Sequence, residues 1–343
     1  MDLVNQVELS RIDSDDIILV TGGTGFTGKH LLQRLSETDA TVRVIARETS
    51  DRSDLADLNI DWVIGEVYDP KTVEQAMRDV TYVFHVAAAY REAKIDDKTY
   101  WNVHVKSTQL LAHEAQKLSG FKRFIHTSTV GVHGHIDMPP ADESYRFAPG
   151  DEYQNTKVEA EQWIRDFADQ HRLPVTVVRP AAIYGPGDRR LLKVFKLAKL
   201  PVCPILGFGY KGLYHLIHVD DLVSFMILAA VHSSTEGQVY ICGNDQALSI
   251  QDIVRLISKR LGRKPRFVRL PVTPFFWLGD LCEAICKPLN IEPPIYRRRV
   301  AFFTKDRSFN TTKMRNDTGF EYRFSNDQGI EELTDWYVKQ GWL

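Results

Sequence analysis

Short apolar runs alternate with amphipathic stretches along the first half of the chain. Apolar runs that are typical of buried strands lie at 17–20, 41–46, 61–64, 82–86, 123–127 and 175–179. Apolar residues recur at helical spacing near 29–37, 70–78, 99–118 and 151–171. Strands that alternate with helices pair in parallel through right-handed crossovers. The pattern predicts an α/β fold built on a doubly wound parallel sheet.

The rhythm changes after Pro180, where a helix near 190–199 leads into the Pro- and Gly-rich loop PVCPILGFGYKG. The later segment SIQDIVRLISKRLG is typical of a helix that begins at Ser249 and stops at Gly262, and we expect it to return to the sheet domain. The predicted division is a sheet domain over 14–180 and about 217–262, a smaller lobe over 181–216 and 263–312, and a C-terminal helical segment over 313–343.

The lobe contains one unusually apolar stretch, TPFFWLGDLCEAICKPLNI. Its helical spacing predicts a single apolar face made of Phe276, Leu278, Leu281, Ala284 and Ile285. Asp280, Glu283 and Lys287 interrupt the run, so it does not qualify as a membrane span. We interpret it as a helix packed on the body of the protein. The alternatives are a surface that lies on a membrane, which we do not expect, and the lining of an apolar substrate cleft.

Composition narrows the class of protein. The chain has 343 residues, of which 43% are hydrophobic and 26% charged, as in ordinary globular proteins. A net charge of −2 gives no support to nucleic-acid binding. The start MDLVNQVELSRIDSDD lacks the basic and apolar regions of a signal peptide. The four cysteines have no zinc-type spacing, which favours reduced packing residues in a cytoplasmic protein and predicts no metal site.

The first strand runs into a glycine-rich turn, TGGTGFTG, with glycines at Gly22, Gly25 and Gly28. Glycine allows positive φ and close approach of the backbone, and the N–H groups of the following helix can bind an anion such as a pyrophosphate. Such a turn after the first strand is typical of Rossmann-like dinucleotide-binding domains. The spacing G-x-x-G-x-x-G differs from the usual G-x-G-x-x-G, so a tight turn without a ligand is the alternative.

The end of the second strand bears on the choice of cofactor. An acidic residue there would accept a hydrogen bond from the 2′-hydroxyl of NAD. The sequence VRVIARETSDR instead has Ala46 at that position and Arg47 next to it. Arg47, together with Arg52, could pair with a 2′-phosphate. NADP is therefore favoured over NAD, and a solvated surface charge is the alternative interpretation of Arg47.

A tyrosine and a lysine in the segment YQNTKVEAEQW are the candidate catalytic pair. Tyr153 and Lys157 are four residues apart in a predicted helix, so they share a face. A nearby ammonium favours the phenolate and lowers the pKa of a phenol from its usual value near 10. Thr129 follows a strand end in HTSTVGVHG and could hold the reacting oxygen.

These motifs, taken in order, resemble the extended short-chain dehydrogenase/reductase family, also described as the NAD-dependent epimerase/dehydratase group. The resemblance covers nearly the whole chain. It rests on TGGTGFTG, GEVYD at 65–69, VFHVAAA at 83–89, TST at 127–129, Y-x-x-x-K at 153–157, RPAAIYGPGD at 179–188 and HVDD at 218–221.

The resemblance implies a role for each matched residue. Tyr153 would be the general acid/base, Lys157 would lower its pKa and bond the nicotinamide ribose, and Thr129 would orient the substrate oxygen. Cofactor binding would fall to Gly22, Thr24, Gly25, Phe26, Gly28, Arg47, Glu66, Val67, Ala87, Thr127, Lys157 and Pro180. The family's Asn in the helix before the fifth strand has no clear equivalent, because WNVHVKST offers either His104 or Asn102.

Three departures from the family pattern guide the choice of reaction. Val130 and Gly131 follow Thr129 where 4,6-dehydratases carry Asp-Glu, which disfavours a dehydratase. Tyr214 stands where relatives that bind nucleotide sugars often carry an Arg. The aromatic lobe is similar to the hydroxysteroid dehydrogenase and dihydroflavonol reductase branches, whose substrates are apolar.

The sequence thus predicts an NAD(P)-dependent oxidoreductase that transfers a hydride between the cofactor and an alcohol or ketone. The predicted substrate is a fairly apolar small molecule, such as a steroid- or flavanol-like ketone. The alternatives are a nucleotide-sugar 4-epimerase that retains NAD and a catalytically silent NADP-binding protein. By the same resemblance we expect a homodimer.

Overall fold

A computed structural model describes residues 9–89, 96–207, 212–286, 291, 293, 300 and 306–343. Its strands, numbered in chain order, are β1 Ile17–Thr21, β2 Thr41–Ala46, β3 Asp61–Ile64, β4 Tyr82–His85, β5 Arg123–Thr127, β6 Val175–Pro180, β7 Ala182–Tyr184, β8 Cys203–Leu206, β9 Leu213–Tyr214, β10 Leu216–His218, β11 Val239–Cys242, β12 Leu248–Ser249 and β13 Phe267–Leu270.

The helices connect these strands. They are α1 Phe26–Leu35, α2 Pro70–Ala76, α3 Asp97–Trp101, α4 Ser107–Ala115, α5 Glu152–His171, α6 Leu192–Leu197, α7 Val219–Val231, α8 Ile250–Arg260, α9 Thr273–Cys286, α10 Thr312–Thr318 and α11 Asn326–Lys339. A π-helical turn, Asn102–Lys106, joins α3 to α4. Short 3₁₀ turns cover Ser53–Leu55, Val130–His133 and Ser233–Thr235.

Seven parallel strands form the central sheet, in the spatial order β3, β2, β1, β4, β5, β6, β11. Different helices cover its two faces. Because successive side chains of a strand point to opposite faces, one strand contributes to both cores. Ile18 and Val20 of β1 pack in one core with α1 and α7, whereas Leu19 packs in the other with α4 and α5. The predicted doubly wound sheet is therefore confirmed.

The bounds predicted from the sequence agree closely with those of the sheet strands and less well with those of one helix. β2, β3 and β5 have the predicted bounds. β4 stops at His85, one residue before the predicted end, and β6 extends to Pro180. The single helix predicted over 99–118 is instead α3, the π-helical turn and α4, which end at Ala115.

A third core cluster lies away from the sheet and includes the apolar face of α8. The residues Ile253, Val254 and Ile257 of α8 pack there with Leu333 and Tyr337 of α11. The apolar face of α8 is buried by α6 and α11 rather than by the central sheet. The predicted domain bounds stay predictions, and part of the stretch 263–312 lies outside the described residues.

The predicted apolar helix forms as α9, but it does not pack as expected. Leu281 and Ile285 are 57% and 55% exposed, whereas Gly279 on the other side of the helix is buried. The interpretation of the apolar face as a surface packed on the body is therefore wrong for these residues. In the part of the chain that the structure describes, no helix combines the length and apolar character needed to cross a membrane.

All four cysteines lie within the described ranges and are free thiols. Cys203 and Cys242 are buried, and burial raises the pKa of both thiols. A thiol with a raised pKa is a weak nucleophile. These two cysteines are packing residues.

Candidate active site

The carboxyl ends of the sheet strands meet at one edge of the sheet, and the sequence-predicted site residues follow them there. Gly22, Thr24, Gly25, Phe26 and Gly28 follow β1 or open α1, Arg47 follows β2, Glu66 and Val67 follow β3, Ala87 follows β4, Thr127 ends β5, Thr129 lies two residues further on and Pro180 ends β6. The strand order places Arg47 and Glu66 on one side of the glycine turn, and Thr127 and Pro180 on the other. Ligands of doubly wound sheets bind at this edge.

The turn between β1 and α1 is so tightly packed that two of its glycines admit no side chain. Gly22 has a φ of +73°, and a Cβ there would lie 2.7 Å from the Cα of Ala87. A Cβ on Gly28 would lie 2.1 Å from the carbonyl oxygen of Gly22. Gly25 is the N-cap of α1, and no side chain among the described residues caps that terminus. The N–H groups of the first helical turn therefore remain available to an anion.

Charged and aromatic side chains lie together where β2 and β3 end. Arg47 is exposed and Glu66 is half-buried. Burial raises the pKa of Tyr68, the charge of Glu66 adds to the rise, and the charge of Arg47 opposes it. These three side chains are therefore close enough to interact. Arg52, the second candidate cation, instead lies 5.6 Å from the ring centroid of Trp62.

His85, the last residue of β4, ties the glycine-rich side of the site to α4. Ser107 Oγ donates to the carbonyl oxygen of Val103 at 2.6 Å, so it accepts from His85 Nε2 at 3.0 Å. His85 Nδ1 then accepts from Thr21 Oγ1 at 2.7 Å, and Thr21 Oγ1 accepts from the Ala87 N–H at 3.2 Å. Burial lowers the pKa of His85 to about 3. Through Thr21, the neutral ring thus holds the backbone at Ala87, directly after β4.

The π-helical turn places His104 between the β4 loop and α5. His104 is buried, its Nε2 accepts from the Ala89 N–H at 3.1 Å, and its Nδ1 donates to Thr156 Oγ1 at 2.8 Å. Burial lowers its pKa far below the usual range, so the ring is neutral. Of the two candidates, His104 rather than Asn102 makes these contacts. π-helical turns are frequent at functional sites, where they redirect a side chain.

Tyr153 stands near the start of α5, with its ring against two other aromatic residues. Asp151 caps the helix by accepting from the Gln154 N–H at 2.8 Å. The Tyr153 ring meets His104 edge to face at 5.2 Å between centroids, and Tyr100 at 6.2 Å. The ring is half-buried, which leaves part of it accessible. The π-helical turn therefore supports the candidate acid/base directly.

Lys157 lies one helical turn after Tyr153 and contacts the end of β5. Its buried Nζ donates to the Thr127 carbonyl oxygen at 2.9 Å, and burial lowers its pKa to about 8. Thr127 Oγ1 is itself buried and has no hydrogen-bond partner among the described residues. Thr129 Oγ1 accepts from the Gly131 N–H at 3.0 Å, a bond that does not use the hydroxyl proton. Lys157 and the strand end thus meet directly.

The next turn of α5 carries a residue that the sequence reasoning missed. Glu161 is fully buried and forms an ion pair with Arg179, the residue that precedes Pro180 in β6. Ser128 Oγ also donates to Glu161 Oε2 at 2.6 Å. The spacing of four residues from Tyr153 through Lys157 to Glu161 was the signal that could have found it. This ion pair fixes α5 against β5 and β6, which together position the candidate catalytic pair.

A cavity of about 960 Å³ lies in the lobe. Its lining is mainly apolar, with Leu197, Pro204, Ile205, Leu206, Leu213, Ile250, Leu270 and Phe275. Asp252, Arg255 and Arg269 add charged groups to the lining. A cavity of this size and composition suits an apolar small molecule whose orientation is fixed by a few polar groups.

The carboxyl edge of the sheet fits a nicotinamide dinucleotide. The turn after β1 is built from glycines that pack too closely for a side chain, the N-terminus of α1 is uncapped, and Thr127 Oγ1 is a buried polar atom without a partner among the described residues. These features match what a pyrophosphate and a ribose need. Together with Tyr153 and Lys157, they define a nicotinamide-dependent enzyme of the extended short-chain dehydrogenase/reductase type.

Comparison with known proteins agrees with this class. A model described as the NAD dependent epimerase/dehydratase family matches residues 18–243, and the chain belongs to that family. It is 27% identical to a 3-beta-hydroxysteroid dehydrogenase of Mycolicibacterium neoaurum, over 94% of this chain and 91% of that protein. It is 26% identical to a ceramide reductase of Caulobacter vibrioides, over 96% and 97%. The crystal structure of gox2253 superposes with a TM-score of 0.78 at 28% identity, over 96% and 99%.

Proposed function

We propose that the protein is an NADP-dependent reductase or dehydrogenase that interconverts an apolar ketone and its alcohol. The observation that carries the proposal is the apolar cavity in the lobe, where eight of the lining residues are aliphatic, proline or phenylalanine. The relatives named for a steroid and for ceramide support an apolar substrate. The fold alone would not choose among the reactions of this family.

Tyr153, Lys157 and Thr129 are the proposed catalytic residues. In the reducing direction, the Tyr153 hydroxyl donates its proton to the carbonyl oxygen of the substrate and becomes a phenolate. With a pKa of about 8, Lys157 is largely protonated at neutral pH, so its charge favours that phenolate. The Thr129 hydroxyl donates to the same substrate oxygen and orients it. A bound nicotinamide would supply the hydride that the carbonyl carbon needs.

Cofactor contacts are proposed for the residues along the carboxyl edge. The turn from Gly22 to Gly28, including Thr24 and Phe26, would hold the pyrophosphate on the N-terminus of α1. Glu66 and Val67 would flank the adenine and Ala87 the adjoining ribose and phosphates. Thr127 and Pro180 would face the nicotinamide end, where Lys157 would bond the ribose.

Arg47 carries the proposed preference for NADP. It is exposed at the end of β2, where a 2′-phosphate would add a charge-assisted hydrogen bond. Such a bond is worth about 1.5–3 kcal/mol. We therefore expect Arg47→Ala to raise the Kd for NADPH roughly ten- to a hundredfold, with the Kd for NADH within about twofold. Equal weakening of both cofactors in fluorescence titrations would contradict the assignment.

A nucleotide-sugar 4-epimerase that retains NAD is the second candidate, because epimerases belong to the same family. Tyr214 argues against it. It is buried, and a tyrosine carries no positive charge, so this position offers no cation for a diphosphate.

A turnover assay separates the candidates. Steroid or long-chain ketones are supplied with NADPH, and UDP-galactose is supplied in a second reaction. Consumption of NADPH with the ketones supports the reductase, whereas conversion of the sugar without net redox change supports the epimerase. Activity with neither, while NADPH still binds, would favour the catalytically silent protein.

We also infer a homodimer in the cytoplasm, in line with the sequence expectations. Light scattering of the purified chain tests the dimer, and a fluorescent fusion in cells tests the location. A monomer in solution would contradict the first inference without affecting the proposed reaction.

A further inference from the structure

Helix α9 presents an apolar stripe to the outside of the lobe. Trp277 is 69% exposed, Leu278 42%, Leu281 57% and Ile285 55%. Residues 277, 281 and 285 are four apart, so they lie along one face of the helix. In the described part of the chain, eight of the exposed large apolar side chains fall between 200 and 291 and four elsewhere. This exposure is therefore concentrated on the lobe.

The opposite face of α9 packs on the protein. Gly279 is buried, and Phe275, Phe276 and Glu283 are half-buried. At about 100° per residue, these positions lie across the helix from the stripe. The inner face of α9 thus sets the orientation of the helix, and the stripe faces solvent. Phe275 also lines the apolar cavity, so the first turn of α9 borders it.

Strand β13, which precedes α9 in the chain, also exposes an apolar side chain. Phe267 packs in the core of the lobe, so the next residue, Val268, faces outward and is 46% exposed. Val202, just before β8, is 43% exposed. The Cys203 N–H donates to the carbonyl oxygen of Arg266 at 2.7 Å, which places Val202 beside the exposed Arg266. Apolar and basic side chains are therefore mixed on this surface.

The segment that leads into α9 carries charge of one sign. Residues 253–279 contain no Asp or Glu, and their basic residues are Arg255, Lys259, Arg260, Arg263, Lys264, Arg266 and Arg269. Arg255 and Arg260 pair with Asp252 and Asp335. Lys259, Lys264 and Arg266 are exposed, and no ion pair engages them within the described residues. The acidic groups of α9 itself are Asp280, which is exposed, and Glu283, on its inner face. The exposed part of this segment is therefore both apolar and positively charged.

We propose that the α9 stripe and the adjoining basic residues dock on the surface of an anionic lipid bilayer. A helix of 14 residues is too short to cross a membrane, but an amphipathic helix of this kind lies in the interface with its apolar face among the acyl chains. Tryptophan favours this interface, and nearby Lys and Arg are attracted to anionic headgroups. One consequence rests on the proposed function: docking would bring the cavity beside Phe275 close to a pool of apolar substrate.

Vesicle co-sedimentation tests the docking. The full chain is mixed with vesicles of phosphatidylcholine containing about one third phosphatidylglycerol, or with phosphatidylcholine alone. We expect binding to the anionic vesicles that weakens as salt is added, because the basic residues contribute. The double variant Trp277→Glu/Leu281→Glu should bind these vesicles at least roughly tenfold more weakly, since each change removes apolar area that would be buried in the bilayer.

Matched control variants distinguish a specific loss of docking from a loss of folding. Val338→Glu alters a residue on α11 that is 48% exposed and should leave vesicle binding unchanged. Lys264→Glu with Arg266→Glu should weaken binding to anionic vesicles alone. The urea midpoint and circular dichroism spectrum of each variant report whether it is folded, without relying on the proposed cofactor or reaction, so failure of the proposed function leaves this test intact.

Three outcomes would overturn the docking proposal. Wild-type protein that stays in the supernatant with anionic vesicles would contradict it, as would a stripe variant that binds like wild type while remaining folded. Loss of an oligomer in the stripe variant, seen by sedimentation velocity, with no vesicle binding by wild type, would assign the stripe to a contact between copies of this chain.

Discussion

The carboxyl edge of the sheet and the lobe are built on opposite principles. At the edge, polar side chains are buried and hydrogen-bonded in defined positions, as in the chain from Thr21 through His85 to Ser107. In the lobe, an apolar cavity is lined by side chains such as Leu206 and Phe275, which impose few directional contacts. Directional groups fix the geometry that proton and hydride transfer require, whereas an apolar cavity selects by shape and size.

We propose that this contrast allows one fold to support different substrates. The edge holds the residues that we propose for hydride chemistry, and contacts between helices and strand ends, such as Lys157 to Thr127, hold them together. The lobe can vary without disturbing these contacts, since its core is a separate cluster formed by α6, α8 and α11. Substitutions at the edge should therefore change the rate or the stability, and substitutions in the lobe should change the choice of substrate.

The largest expected effect is on the chemical step. Tyr153→Phe removes the proposed proton donor and should lower kcat by roughly 10²–10⁴. The Kd for NADPH should stay within about threefold, because the ring remains against His104. Phe275→Ala in the cavity should instead raise KM for an apolar ketone with little change in kcat. Retained turnover in Tyr153→Phe would contradict the division between edge and lobe.

A second prediction concerns the ion pair that supports the edge. Glu161→Gln leaves the buried Arg179 without its counter-charge and should lower the free energy of unfolding by about 3–5 kcal/mol. Glu159→Gln, on the same helix but exposed, is the matched control and should change it by about 0.5 kcal/mol or less. Urea unfolding of both variants measures the difference. Equal stabilities would mean that the ion pair does not hold α5 in place.

The smallest expected effect is a difference in pH dependence. Burial lowers the pKa of Lys157 to about 8 in the folded protein, so between pH 8 and 10 only the unfolded chain keeps that proton. The unfolded state then binds more protons, and stability rises with pH. From pH 8 to 10 the free energy of unfolding should rise roughly 2 kcal/mol more in wild type than in Lys157→Met. Urea unfolding at each pH measures this difference. An equal change in the free energy of unfolding from pH 8 to 10 in both proteins would contradict the lowered pKa of Lys157.

The sheet could be predicted from the sequence because its signals are local. Apolar runs and the glycine turn identify β1, β2, β3 and β5, and parallel pairing then brings their carboxyl ends to one edge. The role of His104 could not be derived, since it depends on a π-helical turn and on contacts with Ala89 and Thr156, which are distant in sequence.

The lobe is harder to predict, because periodicity identifies the apolar face of a helix but not the element that this face packs against. The apolar positions of α8 and α9 were both evident, yet one helix is buried by α11 and the other turns its stripe outward. The ion pair of Glu161 and Arg179 escaped for a related reason, because its two members lie on different elements. What a residue packs against is decided by tertiary structure rather than by local pattern.

The central claim is that the carboxyl edge holds an NADP cofactor that exchanges with solvent in each turnover. The most direct test is to denature the purified protein, identify any released nucleotide by mass, and titrate the native protein with NADPH and NADH. The account predicts no stoichiometric nucleotide and a lower Kd for NADPH. Tightly held NAD, released in proportion to protein, would contradict the claim and favour the epimerase.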